Sequence, residues 1–368
     1  MKHSLQRTAG NKMHITIVGA GNVGLQFAAH CAEKGHLVKV YTKKKVGPCV
    51  KVINENGDVI HEAKHVEACP DPLLAFGTAD LVFVTYPAFM MAQIADEICP
   101  FASGKMKICL VPGTGGGEFA FQNCLSKGAT VFGLQRVPSV VRTIESRKVV
   151  RAVGYRDALH VGALPYEKTK GCAALIESIF SMPVHELSNY LSLTLTPSNP
   201  ILHTSRLYSL FRDYRPGLIY PRVSLFYEDW DDFTSRLLFE MDDEVQALCR
   251  SLPFDLSAVR SLRLHYESPT PEQLTAKIRS IKGFHGLLTP MVQKGNGFEP
   301  DFSSRYFTSD FNFGLALLLQ FAVLSGSKCE KMKMVYSWYS SFCSFPKTFS
   351  LSDYGIDSVD KLVAFYSR

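Results

Sequence analysis

The fold of this chain is decided by the stretch Met13-His-Ile-Thr-Ile-Val-Gly-Ala-Gly-Asn-Val-Gly24. A short apolar run, Ile15 to Val18, leads directly into the glycine sequence, and an amphipathic segment follows it. Strand, glycine turn and helix in this order are the fingerprint of a dinucleotide-binding Rossmann unit. In such a unit the pyrophosphate rests on free N–H groups at the positive end of the helix. The alternative is a glycine turn with a purely structural role.

Each glycine of this motif has its own expected role. Gly19 permits the tight turn after the strand, and Gly21 lets the backbone approach a pyrophosphate where a Cβ atom would collide. Gly24 lets the helix pack closely on the strand. Together with Asn22 and Val23, these glycines form the first part of the predicted cofactor site.

The second strand, Leu37 to Tyr41, ends without the carboxylate that usually binds the ribose 2′-hydroxyl of NAD. It is followed by Thr42 and by a run of lysines that includes Lys43 and Lys44. A hydroxyl and ammonium groups suit a 2′-phosphate, so the sequence favours NADP, with NAD as the alternative. A solvent-exposed charge run in a loop is the competing interpretation of these lysines.

A second strand–glycine–helix junction begins at Pro112. The buried strand Lys107–Val111 ends in Pro112-Gly-Thr-Gly-Gly-Gly117, and a helix is predicted from Glu118 to Leu125. The N–H groups of this junction are expected at the carboxyl end of the sheet, which adds Pro112 and Gly113 to the predicted cofactor site. A loop that needs glycine for positive φ is an equally good interpretation.

The chain divides into two predicted domains. Its 368 residues exceed what one ordinary core accommodates. Strands alternate with helices up to Pro183, whereas the segments after the proline-rich stretch at residues 197–200 have helical patterns. We therefore predict an α/β fold, with a Rossmann domain over residues 1–190 and an all-helical domain over residues 191–368.

Composition excludes several classes of protein. The net charge of +6 comes from dispersed lysines and arginines, which argues against a nucleic-acid partner and suits a small anionic substrate. The ten cysteines form no CxxC pair and no zinc-type cluster, so we predict no metal site and a reducing compartment. The longest apolar run, Phe313 to Leu324, is too short for a bilayer, and the N-terminus lacks a signal peptide. We expect a soluble cytoplasmic protein with no membrane partner.

The sequence Asn199-Pro-Ile-Leu-His203 places a histidine near the start of a predicted helix. Asn199 is a good N-cap and Pro200 a natural first helical residue, so His203 falls in the first turn. The helix dipole there disfavours the cationic imidazole, which keeps a neutral base available near pH 7. Taken alone, a histidine among apolar neighbours is more often an ordinary core residue.

The segment Arg305-Tyr-Phe-Thr-Ser-Asp310 precedes a predicted apolar helix. Asp310 stands where a residue would cap that helix, which is its structural interpretation. Arg305, earlier in the segment, suits a bidentate clamp on a substrate carboxylate, with a surface arginine as the alternative.

In these motifs the chain resembles the opine dehydrogenases, the octopine and nopaline dehydrogenase-like proteins that include the N-carboxyalkyl amino-acid dehydrogenases. The resemblance covers most of the chain. The residues that carry it are Gly19–Gly24, Pro112–Gly116, Asn199–His203, Phe226-Tyr-Glu228 and Arg305–Leu315. The Asn-Pro-x-x-His element and the Arg-Tyr…Asp…Gly-Leu element are specific when they occur together in this order.

The resemblance implies a Rossmann domain, an all-helical domain and an active site in the cleft between them. It implies that His203 exchanges the proton, and that Asp310 orients the imidazole and stabilises its cation. The substrate-binding candidates are Arg305, Asn199, Gln135 and Arg142, the last two for a second carboxylate. The chain departs from the family pattern in two places, since Leu134-Gln135 replaces a Glu-Thr-like pair and Ser309 replaces an acidic residue. These departures leave the amine substrate open.

The function that the resemblance implies is NAD(P)H-dependent reductive condensation of an amino acid with a 2-keto acid through an imine. Two alternatives remain open. The same residues suit simple reduction of a 2-keto acid to a 2-hydroxy acid, and a non-catalytic NADP-binding sensor needs only the nucleotide site. The sequence does not reveal the amino acid, the keto acid, the stereochemistry of the product, or whether the protein forms a homodimer.

Overall fold

The computed structural model describes residues 12–64, 66–197, 199–343 and 347–368. Its strands determine where the site can lie. In chain order the strands are β1 (His14–Val18), β2 (Leu37–Tyr41), β3 (Cys49–Ile53), β4 (Val59–Lys64), β5 (Glu67–Cys69), β6 (Leu81–Val84), β7 (Lys107–Leu110), β8 (Thr130–Leu134), β9 (Val140–Glu145), β10 (Val149–Val153), β11 (Leu159–Leu164), β12 (Val184–Glu186), β13 (Met291–Lys294) and β14 (Gly297–Pro300).

Within these described ranges, eight strands form one sheet in the order β12-β11-β8-β7-β6-β1-β2-β5. Neighbouring strands are parallel, apart from the antiparallel pair β11 and β8. From β1 the chain passes to β2 on one side and later to β6 on the other, so the switch point of the sheet lies between β1 and β6. Ligands of such sheets bind outside the carboxyl ends of the strands at this point.

The helices of the N-terminal part confirm the predicted alternation of strands and helices. They are α1 (Asn22–Glu33), α2 (Pro72–Phe76), α3 (Met91–Ile98), α4 (Gly117–Ala120), α5 (Gln122–Ser126) and α6 (Thr169–Phe180). In α1, Leu25, Ala28 and Ala29 are buried because its apolar residues recur at helical spacing. The prediction of a single helix from Glu118 to Leu125 is wrong, since the helix is interrupted at Phe121 and forms two short helices.

A second, smaller sheet in the order β4-β3-β10-β9 lies beside α1. The hairpin of β3 and β4 is antiparallel, and so is the pair β9 and β10. The sequence did not indicate that these strands leave the main sheet. This smaller sheet is relevant to function because β9 reaches the first glycine turn.

The C-terminal part is mainly helical, as predicted. Its helices are α7 (Leu191–Thr194), α8 (Asn199–Phe211), α9 (Asp232–Ser251), α10 (Leu262–His265), α11 (Pro271–Ser280), α12 (Arg305–Thr308), α13 (Ala316–Ser325), α14 (Glu330–Ser340) and α15 (Val359–Tyr366). A π-helical segment, Asp310–Leu315, joins α12 to α13. The all-helical description needs one correction, because β13 and β14 pair as an antiparallel hairpin.

Side chains fix the start of two helices, and the start of a third differs from the prediction. The long helix α9 begins at Asp232, after Phe226-Tyr-Glu, because the carboxylate of Asp231 caps the N–H of Thr234. The short helix α10 begins at Leu262, and the Ser261 side chain caps its start. The helix α8 includes Asn199 as its first residue, so Asn199 is not its N-cap.

The helical stretch from Arg305 to Ser325 is 21 residues long, longer than the apolar run suggested. By length and composition alone it would be able to cross a membrane. However, 61% of its most apolar window is buried inside the protein, which is the arrangement of a core helix.

One hydrophobic core joins a face of the main sheet to the helical part. It includes Val84 and Leu110 from the sheet together with Phe321 and Phe365 from the helices. The C-terminal helix α15 packs back on α4, where the rings of Phe119 and Phe365 stack at 4.7 Å. The division of the chain at residue 190 stays a prediction.

Candidate functional site

The first glycine turn has the geometry that a bound pyrophosphate requires. Gly19 has a φ of +110°, and a Cβ atom there would lie 2.9 Å from Thr85 Oγ1. A Cβ atom on Gly24 would lie 2.0 Å from the carbonyl oxygen of Gly19, so the helix can pack this closely only with glycine. At Gly21 an added Cβ would meet no atom within 4 Å. The open space at Gly21 is therefore the side from which a ligand can approach.

The start of α1 offers backbone donors to that space. The first intrahelical hydrogen bond runs from the N–H of Leu25 to the carbonyl of Gly21 at 3.0 Å, so the N–H groups before Leu25 precede the helical ladder. No side chain caps this helix at Gly21. The backbone at Asn22 and Val23 thus fits the pyrophosphate of a dinucleotide, with the helix dipole adding to the attraction.

The side chain of Asn22 has a different partner from the one its motif suggests. Its Nδ2 donates to the carbonyl of Val141 at 3.1 Å, and the hydroxyl of Thr143 donates to its Oδ1. Asn22 therefore fastens β9 to the glycine turn with its side chain, while only its backbone is available to a cofactor. Sequence reasoning missed this contact because 119 residues separate Asn22 from Val141.

The loop after β2 lies beside the same turn. The N–H of Gly19 donates to the carbonyl of Tyr41 at 3.2 Å, which places the following residues next to the glycines. Thr42 is buried, and its hydroxyl accepts the N–H of Lys44 at 3.1 Å. Lys43 and Lys44 are exposed. Their place suits the 2′-phosphate of NADP, and that assignment stays a prediction.

The second glycine junction is used mainly for packing. Gly113 donates its N–H to the carbonyl of Leu134 at 2.8 Å, so this N–H is not available to a cofactor. Gly115 and Gly116 have φ values of +85° and +72°, as the loop interpretation requires. A Cβ atom on Gly116 would lie 2.4 Å from the side chain of Leu317 in the helical part. The proposed donor role of Gly113 is therefore corrected, and Pro112 has no N–H to donate.

His203 and Asp310 are in direct contact. Nδ1 of His203 lies 2.7 Å from Oδ2 of Asp310, and both side chains are largely buried, with 8% and 16% exposed. The π-helical segment brings the carboxylate to α8, where Gly314 packs against Pro200. Because the helix already runs from Arg305, Asp310 lies inside it and does not cap it. Segments of π-helix are frequent at functional sites.

Tyr227 completes the hydrogen bonding of the imidazole. Its hydroxyl lies 2.7 Å from Nε2 of His203. Since the carboxylate of Asp310 can only accept, Nδ1 carries the proton of the neutral imidazole and Nε2 accepts from the phenol. Burial raises the pKa of Tyr227 well above its ordinary value, so its hydroxyl stays protonated and able to donate. Sequence reasoning assigned Tyr227 no role.

A buried arginine one turn beyond His203 holds the segment that carries Tyr227. Arg206 is 1% exposed and donates to the carbonyls of Phe226 at 2.9 Å and Asp229 at 2.7 Å. Burial lowers its pKa to about 10, so it remains cationic near neutral pH. The ring of Phe284 stacks on Tyr227 at 4.1 Å and fixes the phenol from the other side.

Two exposed arginines act on the aromatic side chains around the imidazole. The ring of Tyr306 lies 4.6 Å from that of His203. Burial raises the pKa of Tyr306, and the positive charges of Arg305 and Arg142 partly offset that rise. Arg142 also acts on Tyr227 in this way. Arg142 belongs to β9, so the strand bound to the glycine turn also carries a guanidinium group to the vicinity of the imidazole.

The two other substrate-binding candidates are Asn199 and Gln135. Asn199 is exposed at the start of α8. Gln135 donates its amide to the hydroxyl of Thr196 at 3.0 Å and to the carbonyl of Ala258 at 3.3 Å. The amide of Gln135 thus ties β8 to the helical part, and it lines a pocket whose lining does not include His203. Among the described residues, no group of three His, Cys, Asp or Glu side chains is arranged to hold a metal ion.

Two protein families match separate parts of the chain. Residues 186–343 match the family described as NAD/NADP octopine/nopaline dehydrogenase, alpha-helical domain. Residues 15–164 match the family described as ketopantoate reductase PanE/ApbA. Tauropine dehydrogenase of Arabella iricolor is 26% identical over 285 residues, which cover 71% of this chain and 70% of that protein.

Solved structures share the fold over nearly the whole chain. Octopine dehydrogenase with NADH and L-arginine has a TM-score of 0.80 at 20% identity, covering 95% of this chain and 98% of that one. Yersinopine dehydrogenase with NADP⁺ has a TM-score of 0.68 at 13% identity, covering 96% and 98%. The chain is therefore similar to the opine dehydrogenases over both of its parts, with a Rossmann-like sheet domain followed by a helical domain that matches the NAD/NADP octopine/nopaline dehydrogenase family.

Proposed function

We propose that the protein catalyses reductive condensation of an amino acid with a 2-keto acid, with His203 and Asp310 as its acid–base pair. The observation that supports this most directly is the 2.7 Å contact between His203 Nδ1 and Asp310 Oδ2. A second supporting observation is the place of β9, which contacts Asn22 of the glycine turn and contains Arg142, whose charge acts on Tyr227. Nucleotide site and acid–base pair then face one cleft.

Asp310 has two roles in this reaction. It fixes the tautomer in which Nδ1 carries the proton, so the lone pair of Nε2 faces the reacting atoms. It also stabilises the imidazolium that forms when His203 takes a proton, as a buried carboxylate does in a catalytic triad. A positioned acid–base group of this kind contributes roughly 10²- to 10⁴-fold to the rate.

Tyr227 keeps Nε2 of His203 in place until a substrate competes for it. His203 then takes a proton from the substrate amine and donates it to the carbonyl oxygen that leaves as water, while Phe226 and Tyr306 limit the access of bulk water to the imidazole. Arg305 binds a substrate carboxylate, and Asn199, exposed at the start of α8, is a second substrate-binding candidate. Orientation by such a clamp supplies several kcal/mol in favourable cases, very roughly.

The residues that would hold the cofactor are Gly19, Gly21 and Gly24, the backbone of Asn22 and Val23, and the loop that contains Thr42, Lys43 and Lys44. When bound there, the nicotinamide supplies the hydride that reduces the imine carbon. The open space at Gly21 and the uncapped start of α1 fit its pyrophosphate.

Simple reduction of a 2-keto acid is the second candidate. The match of residues 15–164 to the ketopantoate reductase family favours it, because members of that family are named for reducing a keto acid. Reductive condensation needs an amine substrate, whereas simple reduction of a 2-keto acid does not.

A matrix of 2-keto acids against amino acids, followed at the nicotinamide absorbance with NADPH and NADH, tests both candidates. We expect oxidation only when amine and keto acid are present together. Oxidation with keto acid alone would favour the reductase. The variant His203→Ala is expected to lose roughly 10²- to 10⁴-fold in kcat/KM, because the proton exchange is removed. The control is His14→Ala, a change at an exposed histidine at the start of β1. Full turnover by His203→Ala would reject the acid–base assignment.

A further inference from the structure

A pocket of about 600 Å³ lies apart from the His203 site, at the carboxyl end of β8. We call it the basic pocket. Its charged and imidazole groups come from both parts of the chain and are Arg136, Arg156, Asp157, His160, Arg260 and His265. Three guanidinium groups face a single carboxylate, so the lining has a positive excess even with neutral imidazoles. This volume is typical of small-molecule sites.

Within the described residues, Arg156 and Arg260 of the basic pocket form no ion pair with a carboxylate of the protein. Arg156 donates its Nε to the carbonyl of Val137 at 3.0 Å, and Arg136 donates to the carbonyl of Pro197 at 3.1 Å. In the described part of the chain, the arginine ion pairs involve Arg206, Arg212 and Arg263. The guanidinium group of Arg156 is held by a backbone oxygen through its Nε and keeps its terminal donors for an anion.

The positive charges of the pocket arginines help to lower the pKa of the two pocket histidines. Burial, together with the charges of Arg136, Arg156 and Arg260, lowers the pKa of His265 to about 3. Burial and the same three arginines, with His185, also lower the pKa of His160. Both imidazoles are therefore neutral at physiological pH, and the charge of the pocket comes from arginines. An anionic ligand would relieve the mutual repulsion of these groups.

One aromatic residue, Tyr266, interacts electrostatically both with the basic pocket and with the partner of the acid–base pair. Tyr266 is buried, and its phenol interacts electrostatically with Arg136 and Arg156 on one side. It also interacts with Tyr227, which is bound to His203. In addition, Thr196 lines the pocket only seven residues before His203 in the chain.

The pocket is too far along the sheet edge to hold the pyrophosphate. The strands β6 and β7 lie between β1, which carries the glycine turn, and β8. At the usual strand spacing of about 4.8 Å, the ends of β1 and β8 are roughly 14 Å apart. The pocket approaches α1 at Tyr155, whose hydroxyl accepts from Gln26 at 3.2 Å. Its arginines come from the β8 side of the sheet edge and from the helical part, where a substrate has room.

From this placement we infer that the basic pocket binds an acidic group that one substrate carries in addition to its α-carboxylate. This inference rests on the proposed reaction and names its substrate class, which is a dicarboxylic keto acid or an acidic amino acid. The uncharged analogue of equal chain length lacks the group that Arg156 and Arg260 would hold.

Two matched substrate pairs test the inference on the full-length protein. The keto acids are 2-oxoglutarate and 2-oxopentanoate, and the amino acids are L-glutamate and L-norvaline. Within each pair only the distal carboxylate differs. We expect kcat/KM to favour the diacid of one pair by roughly tenfold or more, the usual worth of a charge-assisted contact. Equal values in both pairs would overturn the inference.

Variants locate the preference in the pocket. Arg260→Gln and Arg156→Gln should each reduce this preference about tenfold, because kcat/KM falls more for the diacid than for its uncharged analogue, and Arg156→Lys should retain part of the preference. The control Arg250→Gln removes an exposed charge elsewhere in the helical part and should keep the full preference. Equal losses for the diacid and its analogue in the pocket variants would contradict the inference.

Binding and inhibition separate failure of this inference from failure of the proposed reaction. Isothermal titration calorimetry with each keto acid, in the presence of NADPH, does not depend on turnover. If no substrate pair is turned over but 2-oxoglutarate binds and Arg260→Gln abolishes that binding, the reaction is wrong and the pocket remains an anion site. A diacid that affects turnover of the uncharged pair without competing with it is a regulatory ligand, which overturns the substrate assignment.

Discussion

The two glycine junctions of this protein have similar sequences and different surroundings. After β1, Gly21 faces open space beside the uncapped start of a 12-residue helix. After β7, the N–H of Gly113 donates to the carbonyl of Leu134, and Gly116 packs against Leu317. The first junction thus has room for a ligand, whereas the second has the helical part in that place. Strand–glycine–helix patterns identify a tight turn, and only the neighbours of the turn decide between ligand binding and domain packing.

The largest effect is expected from Gly116→Ala. The φ of +72° disfavours an L side chain, and the added Cβ would lie 2.4 Å from Leu317 and 2.7 Å from Phe349. Together these costs are on the order of 4 kcal/mol in the free energy of unfolding. Urea denaturation measures this loss. The control Gly57→Ala has a positive φ but meets no atom within 4 Å, so it should cost only the backbone strain. Equal losses in the two variants would show that packing at this junction is unimportant.

The second-largest effect is a pH dependence of the free energy of unfolding, caused by Glu118 in the helix that follows the second junction. Glu118 is fully buried, and burial raises its pKa to about 7, although Thr194 and Tyr366 donate to its carboxyl group. A folded-state pKa above the unfolded value means that the folded protein holds the proton more tightly. The stability contributed by Glu118 is therefore present at low pH and is lost as pH rises from about 4.5 through 7.

Glu118→Gln should remove this part of the pH dependence. The loss in the unmodified protein is at most about 3 kcal/mol, since each pKa unit corresponds to about 1.4 kcal/mol. Denaturation in urea at pH 5, 6, 7 and 8 gives the slope for both proteins. Glu55→Gln, at an exposed site, is the matched control and should keep the slope. An unchanged slope in Glu118→Gln would mean that other groups cause it.

Gly21→Val should weaken cofactor binding without affecting the fold. Its side chain would extend into the open space where the pyrophosphate is expected, so we expect roughly a hundredfold loss of NADPH affinity, or about 2.7 kcal/mol. Fluorescence titration with NADPH measures the affinity, and urea denaturation shows whether the fold is retained. A normal affinity in a folded variant would remove the nucleotide site from this turn.

The smallest effect is expected from replacing Lys43 and Lys44 together by glutamine. If these ammonium groups bind a 2′-phosphate, the KM for NADPH should rise by about tenfold while that for NADH stays constant. Steady-state kinetics with both cofactors gives the ratio. Replacement of Lys12 by glutamine, a lysine outside the loop, is the control. Parallel changes for NADPH and NADH would assign these lysines to the solvated surface.

The sequence predicted those features that depend on short stretches of chain. The strand at residues 14–18, the glycine turn and the helix α1 follow from apolar spacing and glycine sterics within about 20 residues. His203 and Asp310 were paired through a family resemblance, and the structure places their side chains in contact across 107 positions of sequence. Their catalytic roles stay proposals.

The features that sequence reasoning missed depend on distant partners. Tyr227 lies in a non-helical segment whose shape is set by Arg206 of α8, so no local pattern marks the phenol as a partner of His203. The contact of Asn22 with β9 is also long-range. In each case tertiary contacts override local preference.

The docking of α15 on α4 has a consequence for how the chain is made. The carboxyl group of Glu118 and the hydroxyl of Tyr366 are 2.6 Å apart, yet 248 residues separate them. At a ribosomal rate of about 5 to 20 residues per second, the partner emerges roughly 10 to 50 s after Glu118. During nascent-chain synthesis this buried carboxyl group and Phe119 remain uncovered, so the core of the sheet domain closes only after α15 has been synthesised.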